Sequence, residues 1–279
     1  MIRSPIEVRR VPAGRGVAWL GGALALIRKQ PARLMLIALV LQFLMGFSQV
    51  GLLALILIVA IPALTAGMMQ AMLMADHGAR PPLAALFAAF TSGPRMARLL
   101  LLGALILAGG MLAVMLVLSG SLAGLDPALL ARLEAGDISA VEELPPGLVR
   151  RLMLSMLAGL LVSGSLSYFA VPLVWFRDCP LGLAIRSGLV GMLRNWAAFL
   201  VLALLLAVLA MPVAILTAIV FTASQAGAAM SPVFTVLMLL LVVAFQLTLF
   251  AAQYCSYRDV FGAGEPEPVP QEPEDQLVA

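Results

Sequence analysis

Few side chains in this sequence could do chemistry, and their spacing limits what that chemistry is. His77 is the single histidine, and the two cysteines, Cys179 and Cys255, stand 76 positions apart. One histidine excludes a histidine-rich metal site, and two cysteines are too few for a thiolate cage. Both cysteines fall beside charged loops expected on the reducing side of a membrane, so no disulfide is expected either. Ser119-Gly120-Ser121 and Ser163-Gly164-Ser165 invite comparison with hydrolases that work inside membranes, but a serine nucleophile needs a base within hydrogen-bond reach. His77 belongs to a separate charged loop. The sequence has no glycine-rich phosphate loop, zinc-protease motif or nucleophile elbow. We therefore expect no enzymatic activity, no cofactor, no metal and no nucleic-acid partner.

The remaining candidates are charges and amides. Asp76, Arg177-Asp178 and Arg258-Asp259 each close a long apolar run, and Arg194-Asn195-Trp196 opens another. Arg177, Asp178, Arg194, Trp196, Arg258 and Asp259 are the candidate contacts for anionic lipid headgroups or a protein partner. For Asp178 the plainer reading is preferred, a helix N-cap followed by Pro180 in the first turn. Gln42 and Gln246 lie in the middle of apolar runs and read as interhelical ties rather than ligands. Proton-coupled carriers and pumps usually keep an ionisable group inside the bundle, and these runs have none.

The elements that must position these residues are membrane helices. Of 279 residues, 63% are hydrophobic and 11% charged, a composition foreign to soluble domains. Residues 34–75, 99–125, 152–176 and 195–257 carry no Asp, Glu, Lys or Arg. About 20 apolar helical residues cross a hydrocarbon core of about 30 Å, so the first and last runs hold two spans each and the others one. Helix-disfavouring residues at 46–49 and 224–232 divide the long runs. The expectation is an all-α polytopic membrane protein with six spans, near 32–47, 50–74, 99–122, 152–176, 196–222 and 232–256. An outer loop covers 123–151, residues 1–15 form a cytoplasmic N-terminal segment, and the transmembrane domain runs from 16 to 262.

Loop charges give an orientation. Fourteen of the seventeen Lys and Arg residues fall on the side of the N-terminus; only Arg132, Arg150 and Arg151 fall opposite. By the positive-inside rule both ends are cytoplasmic. Residues 17–27 resemble a signal peptide but end in Arg28-Lys29-Gln30-Pro31 without a cleavage site, and suit a short helix in the inner interface. Similar stripes, Leu83, Leu86, Phe87 and Phe90, then Leu181, Ile185, Leu189 and Leu193, precede the third and fifth spans. The pattern suggests three copies of a unit made of one interfacial helix and two spans.

Small residues mark packing faces: Ala63, Gly67, Ala71 and Ala75 on the second span, and Ser155, Gly159, Ser163 and Ser167 on the fourth. Pro62, Pro172 and Pro212 are expected to interrupt their spans. From 263 to 279 the sequence turns proline-rich and acidic, as in a disordered cytoplasmic tail.

Taken in order, Trp19-Leu20, Arg28-Lys29-Gln30-Pro31, Pro62-Ala63-Leu64 with Gly67, Asp76 with Gly78, Tyr168-Phe169-Ala170 with Pro172, Arg194-Asn195-Trp196, and Ser256-Tyr257 with Asp259, Phe261 and Gly262 form a pattern. It resembles a family of proteobacterial multi-pass inner-membrane proteins that have no assigned activity. More distantly, the unit is similar to the membrane domains attached to some glycerophosphodiester phosphodiesterases, without their catalytic residues. The resemblance implies the bacterial inner membrane. The first expectation for function is a non-enzymatic protein acting through contacts with membrane lipids, a protein partner or its own copies. The alternative is a small permease or exporter for an uncharged or apolar solute.

Overall fold

The computed structural model describes residues 6–47, 51–122, 126–135, 139, 143–225 and 231–262. In chain order the elements are α1 (Arg15–Lys29), α2 (Pro31–Gly46), α3 (Gly51–Asp76), a 3-10 helix (Leu83–Thr91), α4 (Gly93–Leu122), α5 (Pro127–Glu134), α6 (Pro146–Ser167), α7 (Ala170–Arg177), α8 (Leu181–Arg194), α9 (Trp196–Gln225) and α10 (Pro232–Phe261). There is no strand among the described residues.

Five segments are long and apolar enough to cross a membrane: Gly51–Asp76, Gly93–Leu116, Gly147–Arg177, Trp196–Val220 and Pro232–Phe261. The chain is a helical, polytopic membrane protein. These segments match the second to sixth expected spans. The first, 32–47, is α2, whose 16 residues rise about 24 Å against a core of about 30 Å. Pro31 starts it, where a missing N–H costs nothing. Of the expected divisions, residues 48–50 and 226–230 lie outside the described residues, as does the tail from 263 to 279.

Helix α4 begins six residues before its expected span and α10 ends five after, and two regions differ more deeply. The loop over 123–151 is partly helical, with α5 inside it and α6 beginning at Pro146, six residues early. Leu144 and Leu148 bury themselves there against Val114, Leu129 and Leu152, which gives this short stretch a small core of its own. The fourth span is not one helix but two, α6 and α7, parted at Tyr168-Phe169. Pro172 accounts for the break: it has no N–H for the carbonyl four residues back, that of Tyr168, and its ring crowds that turn. Gln253 of α10 takes over, donating its Nε2–H to the Tyr168 oxygen at 2.6 Å. Pro62 and Pro212 sit inside helices that continue through them.

The short helices cap the bundle. The 3-10 helix packs on α3, α8 packs on α7, and α1 packs on α10 and α9. In each case a glycine allows close approach. An added Cβ on Gly67 would lie 1.9 Å from the carbonyl oxygen of Leu86, and one on Gly16 would lie 2.4 Å from that of Ala198. The stripe expected before α4 is split, because a 3-10 helix repeats every three residues. Leu86 is buried with Ala85 and Ala89, whereas Leu83, Phe87 and Phe90 face outward. On α8 the buried line is Ala184, Ser187, Gly188 and Gly191, and Leu193 faces outward. Both helices turn small side chains to protein and large apolar ones to the surface, as expected where lipid is the solvent.

Candidate functional site

The charged side chains singled out in the sequence gather at one end of the bundle, held by ion pairs that tie distant parts of the chain. Three aspartates organise them, one after each of α3, α7 and near the end of α10.

Asp76 closes α3. Its Oδ1 accepts from Lys29 Nζ at 2.7 Å, and the same ammonium donates to the Asp76 carbonyl at 2.9 Å. Its Oδ2 pairs with Arg258 and accepts from the Tyr254 hydroxyl at 3.3 Å. The Arg258 guanidinium also lies over the Tyr254 ring, 5.9 Å from its centroid, at a distance suited to a cation–π contact. One carboxylate thus holds the end of α1 and the end of α10 together.

Asp259 faces the other end of α1. Arg15 binds it through two parallel bonds, Nε to Oδ2 at 2.7 Å and Nη2 to Oδ1 at 2.8 Å, and Trp19 Nε1 donates to Oδ2 at 2.8 Å. Arg15 and Trp19 are four residues apart, so one helical face presents both donors. The paired geometry matches the planar fork of a guanidinium to a carboxylate.

Asp178 overturns the capping expectation. It takes a left-handed conformation (φ 52°), ends α7 rather than starting α8, and no side chain caps α8, whose first-turn neighbour is Pro180. Its carboxylate binds Arg98, with Arg95 Nε at 3.5 Å. Arg98 Nη1 also donates to the carbonyls of Asp178 at 2.9 Å and Cys179 at 2.6 Å. The physical reason is that carbonyls at a helix end seek donors, and a cation answers both them and the carboxylate. Asp178 therefore serves Arg98 rather than the amides of the next helix.

The other candidates are placed as follows. Arg177 donates to the carbonyl of Phe261, and Arg194 Nη1 to that of Val8 at 3.1 Å. Asn195 accepts from Val11 N–H at 2.7 Å and donates to the Arg9 carbonyl at 2.9 Å, while Arg9 N–H reaches the Val260 carbonyl at 2.9 Å. The N-terminal segment is thereby strapped across the ends of α8 and α10. Trp196 is 65% exposed. Ala63, Gly67, Ala71 and Ala75 form a fully buried line on α3. On α6, Ser155 is buried, Gly159, Ser163 and Ser167 are half-buried, and a Cβ on Gly110 of α4 would touch Ser163 Oγ at 3.9 Å. Gln42 is half-buried on α2, and Gln246 keeps its Oε1 buried without a hydrogen-bond partner. Ser163 lies in a helix contact, while His77 Nδ1 lies 2.8 Å from the Leu73 carbonyl at the charged end.

Sequence reasoning missed the partners. Lys29, Arg15 and Arg98 count toward the orientation and Trp19 toward the short interfacial helix, yet together they complete the clusters. The signal was present: three aspartates at the ends of apolar runs need counter-charges, and Arg15 and Lys29 bracket one short amphipathic helix.

Aromatic rings reinforce this end. Trp19, Phe199, Tyr168, Phe169, Phe261, Tyr257, Phe176 and Tyr254 form a continuous series of ring contacts with centroids 5.0 to 6.4 Å apart. All three tyrosines of the chain are in it. Tyrosine and tryptophan favour the boundary between lipid and water.

Two cavities open here. One of 410 Å³ runs between α1 and α10, bordered by Arg9, Arg15, Lys29, Arg258, Asp76 and Asp259. The second, of 360 Å³, is walled by Phe176, Tyr254, Tyr257, Leu73 and His77, and shares Asp76 and Arg258 with the first. No cluster of potential metal ligands occurs among the described residues. Compared with known proteins, the chain matches no family model, no curated protein and no solved structure.

Proposed function

We propose that the chain is a six-span protein of the bacterial inner membrane, with both ends cytoplasmic, that acts without enzymatic activity through lipid and protein contacts at its charged end. One observation carries this reading. The ion pairs of Asp76, Asp178 and Asp259 and all three tyrosines occupy one end of the bundle, and the apolar runs between carry no charge. Such a distribution suits a protein whose polar work lies at the membrane surface. The threefold unit belongs to the same reading: α3 with the 3-10 helix, α7 with α8, and α10 with α1 repeat one packing in cyclic order. So does kinship with the proteobacterial inner-membrane family, supported by the order of the motifs.

The permease alternative draws on the unpartnered Gln246 Oε1 inside the bundle. A native mass spectrum of the protein extracted gently from its own membrane tests both. A stoichiometric lipid or protein companion is the expected result. A bare monomer carrying a small solute, together with solute flux in liposomes that Gln42→Leu or Gln246→Leu abolishes without unfolding, would replace this reading with the permease.

A further inference from the structure

The three short helices that cap the bundle repeat a combination of side chains that packing within the chain does not explain. On α1, Val17, Gly21, Leu24 and Arg28 follow one another at intervals of four, three and four, and all face outward. On α8, Leu183, Arg186, Val190 and Leu193 do the same at intervals of three, four and three. The 3-10 helix turns Leu83, Phe87 and Phe90 outward, with Arg80 exposed three residues before it begins. Each helix thus offers large apolar side chains and one arginine to its surroundings.

These arginines take no part in the ion pairs of the charged end. Asp76 engages Lys29 and Arg258, Asp178 engages Arg95 and Arg98, and Asp259 engages Arg15. Arg28, Arg80 and Arg186 make no hydrogen bond or ion pair among the described residues, and none of the three helices contains an acidic residue. Their guanidinium donors are left for acceptors outside the chain.

The neighbouring span shows what those surroundings are. Helix α9 begins at Trp196, with only Asn195 between it and α8, and Trp196, Leu200, Leu204 and Val208 form an exposed line at intervals of four. On a helix that crosses the membrane such a line faces lipid, and its tryptophan marks the level of the headgroups. The outward face of α8 runs into this line at Leu193. An arginine at that level lays its apolar stem along the apolar surface and carries its charge out to the phosphates.

We propose that the three short helices form a collar in the leaflet at the charged end, where Arg28, Arg80 and Arg186 each bind the headgroup phosphate of an anionic phospholipid. Each arginine takes its own headgroup, and the apolar residues beside it meet the acyl chains. The proposal rests on the contact reading above and names the partner and the residues that select it.

Tryptophan fluorescence reads one part of the collar directly, because Trp196 is 65% exposed whereas Trp19 and Trp175, the other two tryptophans, are 1% and 7% exposed. The full chain is placed in nanodiscs of four-fifths phosphatidylcholine and one-fifth phosphatidylglycerol, with the acyl chains of one lipid or the other brominated near the headgroup. Bromine quenches tryptophan on contact, so the ratio of the two quenching efficiencies, corrected for mole fraction, gives the lipid preference beside α8. The parent is compared with Arg186→Gln and Arg186→Lys. Native mass spectra count the phosphatidylglycerol retained by the parent and by the triple variant Arg28→Gln, Arg80→Gln, Arg186→Gln. All these positions are exposed, and thermal unfolding checks that the variants remain folded.

The expected result is that phosphatidylglycerol quenches about two- to fivefold more per molecule than phosphatidylcholine, the preference that one arginine at an anionic surface supports. Arg186→Gln should bring the ratio close to one, Arg186→Lys should keep it, and the triple variant should retain less phosphatidylglycerol. A ratio of one in the parent, a ratio that Arg186→Gln leaves unchanged, or undiminished phosphatidylglycerol on the triple variant overturns the collar. In that case a protein companion in the native spectrum would still uphold the contact reading, so the two ideas fail separately.

Discussion

The two ends of this bundle are built by different rules. At the charged end Trp19, Phe169, Tyr254, Tyr257 and Phe261 are all buried, and hydrogen bonds join segments as far apart as Arg15 and Asp259. Toward the other ends of the helices, large side chains face outward, among them Leu160 on α6, Val208 on α9 and Val233 on α10. Helix α9 shows this most plainly, with only 6% of its apolar window covered by protein. In water such exposure would drive collapse. In lipid there is no hydrophobic drive between helices, so they close up only where small residues let backbones meet or where polar groups find partners. The comparison teaches that the charged end determines the fold and the remainder is left to lipid.

Glycine substitutions break the comparison most sharply. Gly67→Val forces a side chain into the Leu86 carbonyl, which neither α3 nor the 3-10 helix can yield without separating. Overpacking in a core costs about 1–3 kcal/mol and more where backbone is struck, so we expect loss of the folded protein's peak in size-exclusion chromatography. Gly164→Ala, on the side of α6 where nothing lies within 4 Å of the added Cβ, should leave the elution and the unfolding temperature unchanged. Equal effects at the two positions would mean that packing is not concentrated as described.

Next in size is Arg98→Ala. Arg98 binds one carboxylate and two carbonyls, so its removal takes three bonds from the end of α7 and leaves Arg95 near the carboxylate. Hydrogen bonds to charged groups contribute about 1.5–3 kcal/mol, and a clear drop in unfolding temperature is expected. Asp178→Asn should cost less, because the two carbonyl bonds survive. If the two variants prove equally mild, Arg98 is only a surface charge and the cluster around Asp178 holds nothing together.

Gln253 offers a smaller and more specific test. Its amide replaces the bond that Pro172 cannot make to Tyr168, so Gln253→Leu leaves that carbonyl unsatisfied at a cost of about 1 kcal/mol. In the Pro172→Ala background the helix can satisfy the carbonyl itself, and the same substitution should then cost little. Additive effects in the double variant, read from thermal unfolding, would refute the substitution of one bond for the other.

Much of this architecture was legible in the sequence because bilayer thickness imposes it. Charge-free runs mark five of the spans within about six residues, and the small-residue row from Ala63 to Ala75 lies in the part of α3 that protein buries, together with Leu64, Met68, Met69 and Met72. The break at Tyr168-Phe169 was partly legible: Pro172 announced it, but only the fold shows that Gln253, more than 80 residues away, completes it. The ionic site was less legible still. Asp178 has the local look of a cap, and no local pattern reveals that Arg98 lies opposite. Arg15 and Lys29 count toward topology in any loop tally, and their pairing with Asp259 and Asp76 depends on how α1 crosses α10. Periodicity reports which face of a helix is apolar; it does not report which helix arrives there.

The smallest effect is expected at Gln246, where the two ends of the comparison meet. Its Oε1 is buried inside the apolar part of the bundle with no partner, unlike the polar groups of the charged end, which are nearly all bonded. An unsatisfied buried acceptor carries its desolvation cost without return, so replacing it by an apolar group of similar size is close to neutral or stabilising. Gln246→Leu should therefore raise the unfolding temperature slightly or leave it unchanged. The lipid or protein companion proposed for the charged end should be retained in the native spectrum. If instead the variant is well folded but loses a solute flux that the parent shows, the orphaned oxygen is a ligand waiting for its solute, and the apolar half of the molecule, not the charged end, is where this protein works.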